Sequence, residues 1–268
     1  MLIIGEKLNS TREKVRKIIE ERDVKSIQEL VLRQVEAGAH LLDVNSSVAL
    51  GDKEKNMEWL VKTVQEAAAI PLCIDSPNPE EIERGLAVHN GMTGKPFLNS
   101  LTAEKEKIEK LLPIIKRYQC AVVALVMDES GIPENVQTRI EIASKLINIL
   151  TDSGIPLREI YIDPLVMPIG TNDQNGLMVL NTIRGVKELY PDVKTVIGLS
   201  NISYGLPERK LINQIFMVLA MSSGLDAAII DPTDKGMMAM IKTTLTLMGK
   251  DSYCGEYLKA YREGKLTF

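Results

Sequence analysis

The sequence is poor in residues that carry nucleophilic or metal chemistry. Its 268 residues include three cysteines and two histidines. Cys73, Cys120 and Cys254 stand far apart with no Cys-x-x-Cys among them, and neither His40 nor His89 has metal-ligand spacing. The pattern predicts reduced, mostly buried thiols and no bound metal. The opening Met1-Leu-Ile-Ile-Gly-Glu-Lys lacks a signal-peptide pattern, and the apolar runs 121–127 and 215–221 are too short to span a bilayer. Both features lead us to expect a cytoplasmic protein without membrane association. A large charge of one sign is missing too: the net charge is −4, which gives no footprint for nucleic acid. No linker or low-complexity stretch divides the chain. Residues 1–268 are therefore expected to form one domain, since α/β barrels often run to about 250 residues.

What the sequence does have is alternation. Short apolar runs at 2–5, 40–45, 71–75, 96–100, 121–127, 159–163, 194–200 and 226–231 are separated by longer amphipathic stretches such as 24–37, 54–68, 103–118 and 135–151. Continuous apolar runs suit parallel strands covered on both faces, and the longer stretches read as helices with one apolar stripe. Asn78-Pro79-Glu80-Glu81 has a capping residue, a proline at the first helical position and acid in the first turn. Gly38 stands where a helix C-terminal glycine belongs. The runs end at Glu6, Asp43, Asp75, Asn99, Met127, Asp163, Ser200 and Asp231, at intervals of 24 to 37 residues. Eight strand–helix units of this size, without the glycine fingerprint of an open dinucleotide-binding sheet, predict a closed (β/α)8 TIM barrel. Residues 251–268 read as a terminal helix and a short tail.

In such a barrel the site is built at the C-terminal ends of the strands. Here those ends carry acids and amides: Glu6 and Asn9, Asp43 and Asn45, Asp75, Asn99, Asp163, Ser200 and Asn201. Ser-His-Asp sets, phosphate-gripping glycine loops and a lysine in an apolar Schiff-base setting are all missing, although Lys7 lies close by. Such a mouth suits hydrogen bonding to a polar, nitrogen-rich heterocycle. A pterin fits: its N3–H and 2-amino group are adjacent donors that one carboxylate can accept, and an amide such as Asn99 can serve both an acceptor and a donor. Purines and sugars would use acids and amides as well. Asp43 and Asn45 could touch substrate or only stabilise the mouth. Asp231-Pro232 reads as a loop-former, and the methionines at 217–221 and 237–240 as core fillers.

Several strings fall in a recognisable order: Gly5-Glu6-Lys7-Leu8-Asn9, Asp43-Val44-Asn45, Cys73-Ile74-Asp75-Ser76-Pro77, Leu98-Asn99-Ser100, Ile162-Asp163-Pro164-Leu165, and Gly198-Leu199-Ser200-Asn201-Ile202-Ser203-Tyr204-Gly205-Leu206-Pro207-Glu208-Arg209. Over nearly the whole chain the sequence resembles the methyltetrahydrofolate:corrinoid protein methyltransferases of the pterin-binding barrel family. The resemblance implies transfer of a methyl group between N5 of tetrahydrofolate and the cobalt of a corrinoid. It implies that Asp75, Asn99 and Asp163 hold the pterin, that Asn201 is catalytic beside N5, and that Gly198 and Ser200 line the pocket. Arg209, Asn45 and Glu6 join the pterin-binding set. The corrinoid-binding pattern Asp-x-His-x-x-Gly occurs around neither histidine. The corrinoid is therefore expected on a separate partner protein, and a homodimer is expected from the resemblance alone.

Two other readings compete. Dihydropteroate synthase is similar at the acid and amide positions, but its Asn-x-Thr-x-Asp-Ser-Phe loop is replaced here by Leu8-Asn9-Ser10-Thr11, and its late basic motif has no clear match. A folate-binding barrel without activity is the other, and the intact Asn201 string argues against it.

Overall fold

The structure is a computed structural model that describes residues 1–266. Eight parallel strands close into one barrel in sequence order. They are β1 (Leu2–Asn9), β2 (Leu41–Asn45), β3 (Leu72–Asp75), β4 (Phe97–Thr102), β5 (Ala121–Leu125), β6 (Ile160–Asp163), β7 (Lys194–Gly198) and β8 (Ala227–Ile230). β1 pairs with β8 from Leu2 opposite Ala227 to Gly5 opposite Ile230, and that pairing closes the ring. Each predicted run coincides with one of these strands, with β1 and β4 running on beyond theirs to Asn9 and Thr102.

The helices are α1 (Glu13–Glu20), α2 (Val24–Glu36), α3 (Lys53–Ala67), α4 (Pro79–Val88), α5 (Lys105–Tyr118), α6 (Val136–Asp152), α7 (Asn175–Leu189), α8 (Arg209–Ser222), α9 (Lys235–Leu247) and α10 (Gly255–Arg262). Sequence reading missed α1, a second short helix inserted between β1 and β2. The other boundary signals hold. The Asn78 side chain accepts the Glu80 N–H at 2.9 Å, and Gly38, at φ +100°, ends α2. The tail after α10 runs on to Thr267 and Phe268, which lie outside the described residues.

Strand alternation sorts the side chains into two cores. Outward residues such as Leu42, Val44, Leu72, Ile74, Ile160 and Ile162 pack under the helices. Inward residues Ile4, Leu41, Cys73, Phe97, Ala121, Val123, Val196 and Ala227 fill the barrel, with Leu2, Tyr161 and Ile229 against them. Met217, Met221 and Met237 are buried in the helix layer beside β7 and β8, as core fillers should be. Cys73 and Cys120 are buried free thiols, and Cys254 is an exposed one in the irregular turn before α10.

One local device at β1 bears directly on the site. The β1–β2 register shifts between Gly5 and Leu8, which takes the Lys7 N–H out of the ladder. The buried Gln34 of α2 supplies the missing acceptor, its Oε1 lying 3.0 Å from Lys7 N. A Cβ on Gly5 would lie 2.5 Å from that same oxygen and 2.9 Å from Leu42 Cδ2, so glycine is what lets the amide approach. Gly5→Ala should lower the urea-unfolding stability by about 1–3 kcal/mol, through overpacking or through loss of the Lys7 hydrogen bond. An unchanged midpoint would show that the strand shift does not depend on this contact.

Candidate active site

Two residues further along each strand from the apolar barrel filling, the inward positions turn polar. On β1, β2, β3, β4 and β6 they are Glu6, Asp43, Asp75, Asn99 and Asp163; Gly198 on β7 and Asp231 after β8 complete the ring. β5 breaks the ring. Its last inward residue is Leu125, and Met127, the end of the run in the sequence, lies beyond the strand.

The acids and amides are already bonded to one another. Asn45 donates its amide to Asp75 Oδ2 at 2.9 Å, and its own Oδ1 accepts from Ser10 Oγ and the Ser47 N–H, both at 3.0 Å. Asn45 is thus fixed from behind and aims Asp75. Asn99 donates to Asp43 Oδ1 at 3.2 Å, which leaves the Asn99 carbonyl free to accept. Behind Asp75 lies a buried acid on α4, Glu81, whose Oε2 accepts from Ser76 Oγ at 3.0 Å and Ser47 Oγ at 3.2 Å.

Crowding carboxylates into one enclosed layer raises their proton affinity. Burial, then the neighbouring Asp75 charge, pushes Asp43 well above the ordinary carboxylate range. Burial lifts Asp75 to about 6, opposed by the Asn45 hydrogen bond and assisted by the Glu81 charge. Asp163 is lifted by burial to about 7, opposed by the Leu165 N–H it accepts and by the charge of Arg139. Both keep some exposed area at the mouth; the protein enclosing their other sides is what desolvates them. Within the Asp43–Asp75 pair, Asp43 keeps the proton, and Asp75 is the anion presented upward.

The β7–β8 side is built differently. After Gly198 the chain makes a 3-10 turn, Leu199–Ser203, that carries Ser200 and Asn201. Arg209 grips this turn from the start of α8, donating Nη2 to Ser200 O at 2.6 Å and Nε to Ser203 Oγ at 3.0 Å. Ser200 Oγ in turn donates to Glu6 Oε2 at 3.1 Å, and Glu6 also holds Arg12 at 2.5 Å. Burial raises Glu6 above its usual value, against the Arg12 charge. Asn201 is exposed, and among the described residues nothing hydrogen-bonds its side-chain amide. A Cβ on Gly198 would lie 3.9 Å from Asn201 Nδ2, so the amide folds back over the end of β7.

Sequence reading treated three features too lightly. Asp231 does form its loop, accepting the Thr233 N–H at 3.0 Å and Oγ1 at 2.6 Å, but it also pairs with Lys7 Nζ at 2.5 Å across the barrel seam. Burial acts to raise Asp231, yet the Lys7 and Thr233 contacts outweigh it and lower the pKa. Asp43, left open between two roles, forms the floor of the layer. Arg139 gave no signal in the sequence beyond being one charge on an amphipathic helix. Asp231 was legible, because it ends the eighth run as the other acids end theirs. Among the described residues no group of three or more His, Cys, Asp or Glu side chains is arranged to hold a metal.

A barrel whose mouth presents two separated carboxylates, amides between them and an unpaired amide above is built to hold a flat donor-rich heterocycle. Residues 5–231 match the family model described as pterin binding enzyme. The chain belongs to that family. It is 40% identical to the methylcorrinoid:tetrahydrofolate methyltransferase of Eubacterium limosum over 99% of this chain and 98% of that protein. It is 32% identical to the methionine synthase of Mycobacterium tuberculosis over 86% of this chain, which amounts to 20% of that longer protein. Among solved structures, dihydropteroate synthase of Xanthomonas albilineans with 4-aminobenzoic acid superposes with a TM-score of 0.67. That alignment covers 94% of this chain and 93% of the other at 19% identity, so it speaks for the fold alone.

The raised carboxyls tie stability to pH. The folded-state pKa of Asp163 lies above its unfolded value, so its contribution to stability is full below about pH 4 and is lost as pH rises through about 7. Between about pH 5 and pH 8 the parent should therefore lose on the order of 2–4 kcal/mol relative to Asp163→Asn, read from urea unfolding. Parallel pH profiles for the two proteins would show that Asp163 is not held protonated in the free enzyme.

Proposed function

We propose that the chain is a methyltransferase that moves a methyl group between N5 of tetrahydrofolate and the cobalt of a corrinoid carried by a separate protein. The full-length relative of that activity supports the reading most directly. The observation in this molecule that carries it is the exposed, unpaired Asn201 amide standing over an enclosed acid–amide layer.

In this reading Asp75 and Asp163 accept the N3–H and 2-amino protons of the pterin, and the free Asn99 carbonyl takes another donor. Asn45 and Asp43 act from behind, the first aiming Asp75 and the second anchoring Asn99. Gly198 leaves space for the ring edge at the end of β7. Glu6, Ser200 and Arg209 act on the pterin through the 3-10 turn, which they brace from two sides.

The chemical difficulty is the leaving group. A tertiary amine gives up a methyl group poorly, so N5 must gain hydrogen bonding or a proton as the bond breaks. Reduced cobalt is the nucleophile, and the chain need not supply one. The Asn201 amide, together with water, stabilises N5 more in the transition state than in the ground state. Its exposure matters as much as its chemistry, because the corrinoid has to approach the methyl group through the open mouth.

Two finer points belong to the same proposal. A homodimer is supported by α8, where Leu211, Ile215 and Leu219 recur every four residues and are 58%, 51% and 46% exposed. Leu177 and Leu189 of the adjacent α7 are exposed as well. No described helix is long and apolar enough to cross a membrane, and the proposed site of action is the cytoplasm.

Two experiments test this. Methyltetrahydrofolate and photoreduced cob(I)alamin are mixed without oxygen, and the cobalt absorbance is followed. Asn201→Ala should slow methyl transfer about a hundredfold while tetrahydrofolate binding stays within a few fold. Asp75→Asn should instead weaken binding. An unchanged rate for Asn201→Ala with intact binding would remove the residue from the mechanism. Sedimentation should show a dimer for the parent and a monomer for Ile215→Lys; a monomeric parent would end the dimer reading.

A further inference from the structure

Arg139 heads the fully buried side chains, 1% exposed in the first turn of α6. A buried guanidinium is costly unless it is bonded and compensated. No carboxylate among the described residues is in ion-pair contact with it. Its donors go to backbone carbonyls: Nε to Pro133 O at 3.1 Å, and Nη1 to Pro164 O at 2.7 Å and Leu165 O at 3.0 Å. Pro164 and Leu165 follow Asp163 directly. Leu165 sits at φ +65°, a left-handed conformation that a leucine keeps only where its surroundings hold it. In that conformation its N–H donates to Asp163 Oδ1 at 2.8 Å.

We propose that Arg139 is the positioning residue for Asp163: its grip on the two carbonyls fixes the turn that aims the carboxylate into the mouth, and its charge stands behind that carboxylate to balance it when the donors of the pterin draw it into the ionised form. The charge and the anion compensate each other across one peptide group. Burial lowers Arg139 and raises Asp163, and against that each charge favours the ionised form of the other.

Among the described residues nothing else around β6 can do the same. β5 faces it with Val122, Val123, Ala124 and Leu125. On β7, Lys194 pairs with Tyr161 at the far end of the strand, and its ammonium lies 3.7 Å from Asp226. The buried residues of α7 are Asn175, Met178, Val179, Leu180, Thr182, Ile183 and Val186, none of them charged. On α6 itself, Lys145 reaches away to Ala103 O. On its own strand, Tyr161 lies below Asp163 and is itself raised by burial.

The functional half of the inference rests on Asp163 being a pterin ligand; the electrostatic half does not. The test separates them. Carbon-13 aspartate resonances of the ligand-free protein are followed against pH in the parent, Arg139→Gln and Arg139→Lys, and tetrahydrofolate affinity is measured without oxygen over the same range. In Arg139→Gln, Asp163 should titrate about one unit higher than in the parent. Affinity should fall roughly fivefold near pH 7 and recover near pH 9, where Asp163 is ionised without help. A loss from disturbed packing alone would be the same at every pH. An Asp163 titration in Arg139→Gln that coincides with the parent overturns the inference. A shifted titration with an unshifted binding profile supports it and removes Asp163 from the pterin site. Arg139→Lys gives an independent reading, because it keeps the charge and gives up the double grip. Asp163 should then titrate close to the parent, with affinity lowered a few fold at all pH values. Parent affinity throughout would overturn the positioning role.

Discussion

Everything at the mouth of this barrel depends on burying more than one carboxylate in one layer. Strand alternation in a closed barrel turns every second side chain inward, and those near the C-terminal ends of the strands meet at the mouth. When those side chains are Asp43, Asp75 and Asp163, the layer cannot carry a full negative charge at each position, because each is desolvated and two are close enough to repel. The arrangement settles by dividing roles. Asp43 keeps its proton and sits deepest. Asp75 and Asp163, toward the opening, stay poised near neutrality, where a ligand that brings donors can draw them into the ionised form.

The supporting structure follows from that division. Asn45 stabilises the charge on Asp75, and Ser10 and Ser47 fix Asn45 so that the amide cannot turn away. Glu81 works the other way, adding negative charge behind Asp75, and is itself bonded by two serines. Among the described residues Asp163 has no side-chain donor of its own, and it relies on one backbone N–H and a cation set back behind the turn. The two anions of the proposed cradle are thus held by unlike means. One is tuned by neighbouring side chains and the other by a loop conformation.

Much of this could be read in the sequence, and the reasons differ residue by residue. The eight strands were legible because a parallel strand covered on both faces leaves a short unbroken apolar run, and the polar residue closing seven of the eight runs marked the mouth of the barrel. Asp75, Asn99 and Asp163 were found that way. Asp231 ended its run in the same manner and was passed over, because Asp-Pro is also a turn signal; the side chain does both jobs. α1 was missed because eight residues between two stronger signals give too short a period to stand out. Arg139 was invisible for a deeper reason. Its importance lies in which carbonyls it meets, and those belong to a loop twenty-five residues away in sequence. Local pattern shows that a helix has a charged residue; only the fold shows that this one points inward.

The two sides of the mouth also separate affinity from rate. On β3, β4 and β6 the groups that would hold a pterin are enclosed and bonded from behind, as tight ground-state recognition requires. After β7 the amide proposed to act on N5, that of Asn201, is exposed and, among the described residues, unpaired, on a turn braced by Glu6 from below and Arg209 from the side. On the proposed function, enclosing Asn201 as well would strengthen a hydrogen bond to N5 but close the path by which a protein-bound cobalt would reach the methyl group. Leaving the turn unbraced would keep the path and lose the geometry. A rigid turn that carries an exposed amide satisfies both demands, and the Ser200 links to Glu6 and Arg209 are the contacts that make the turn rigid.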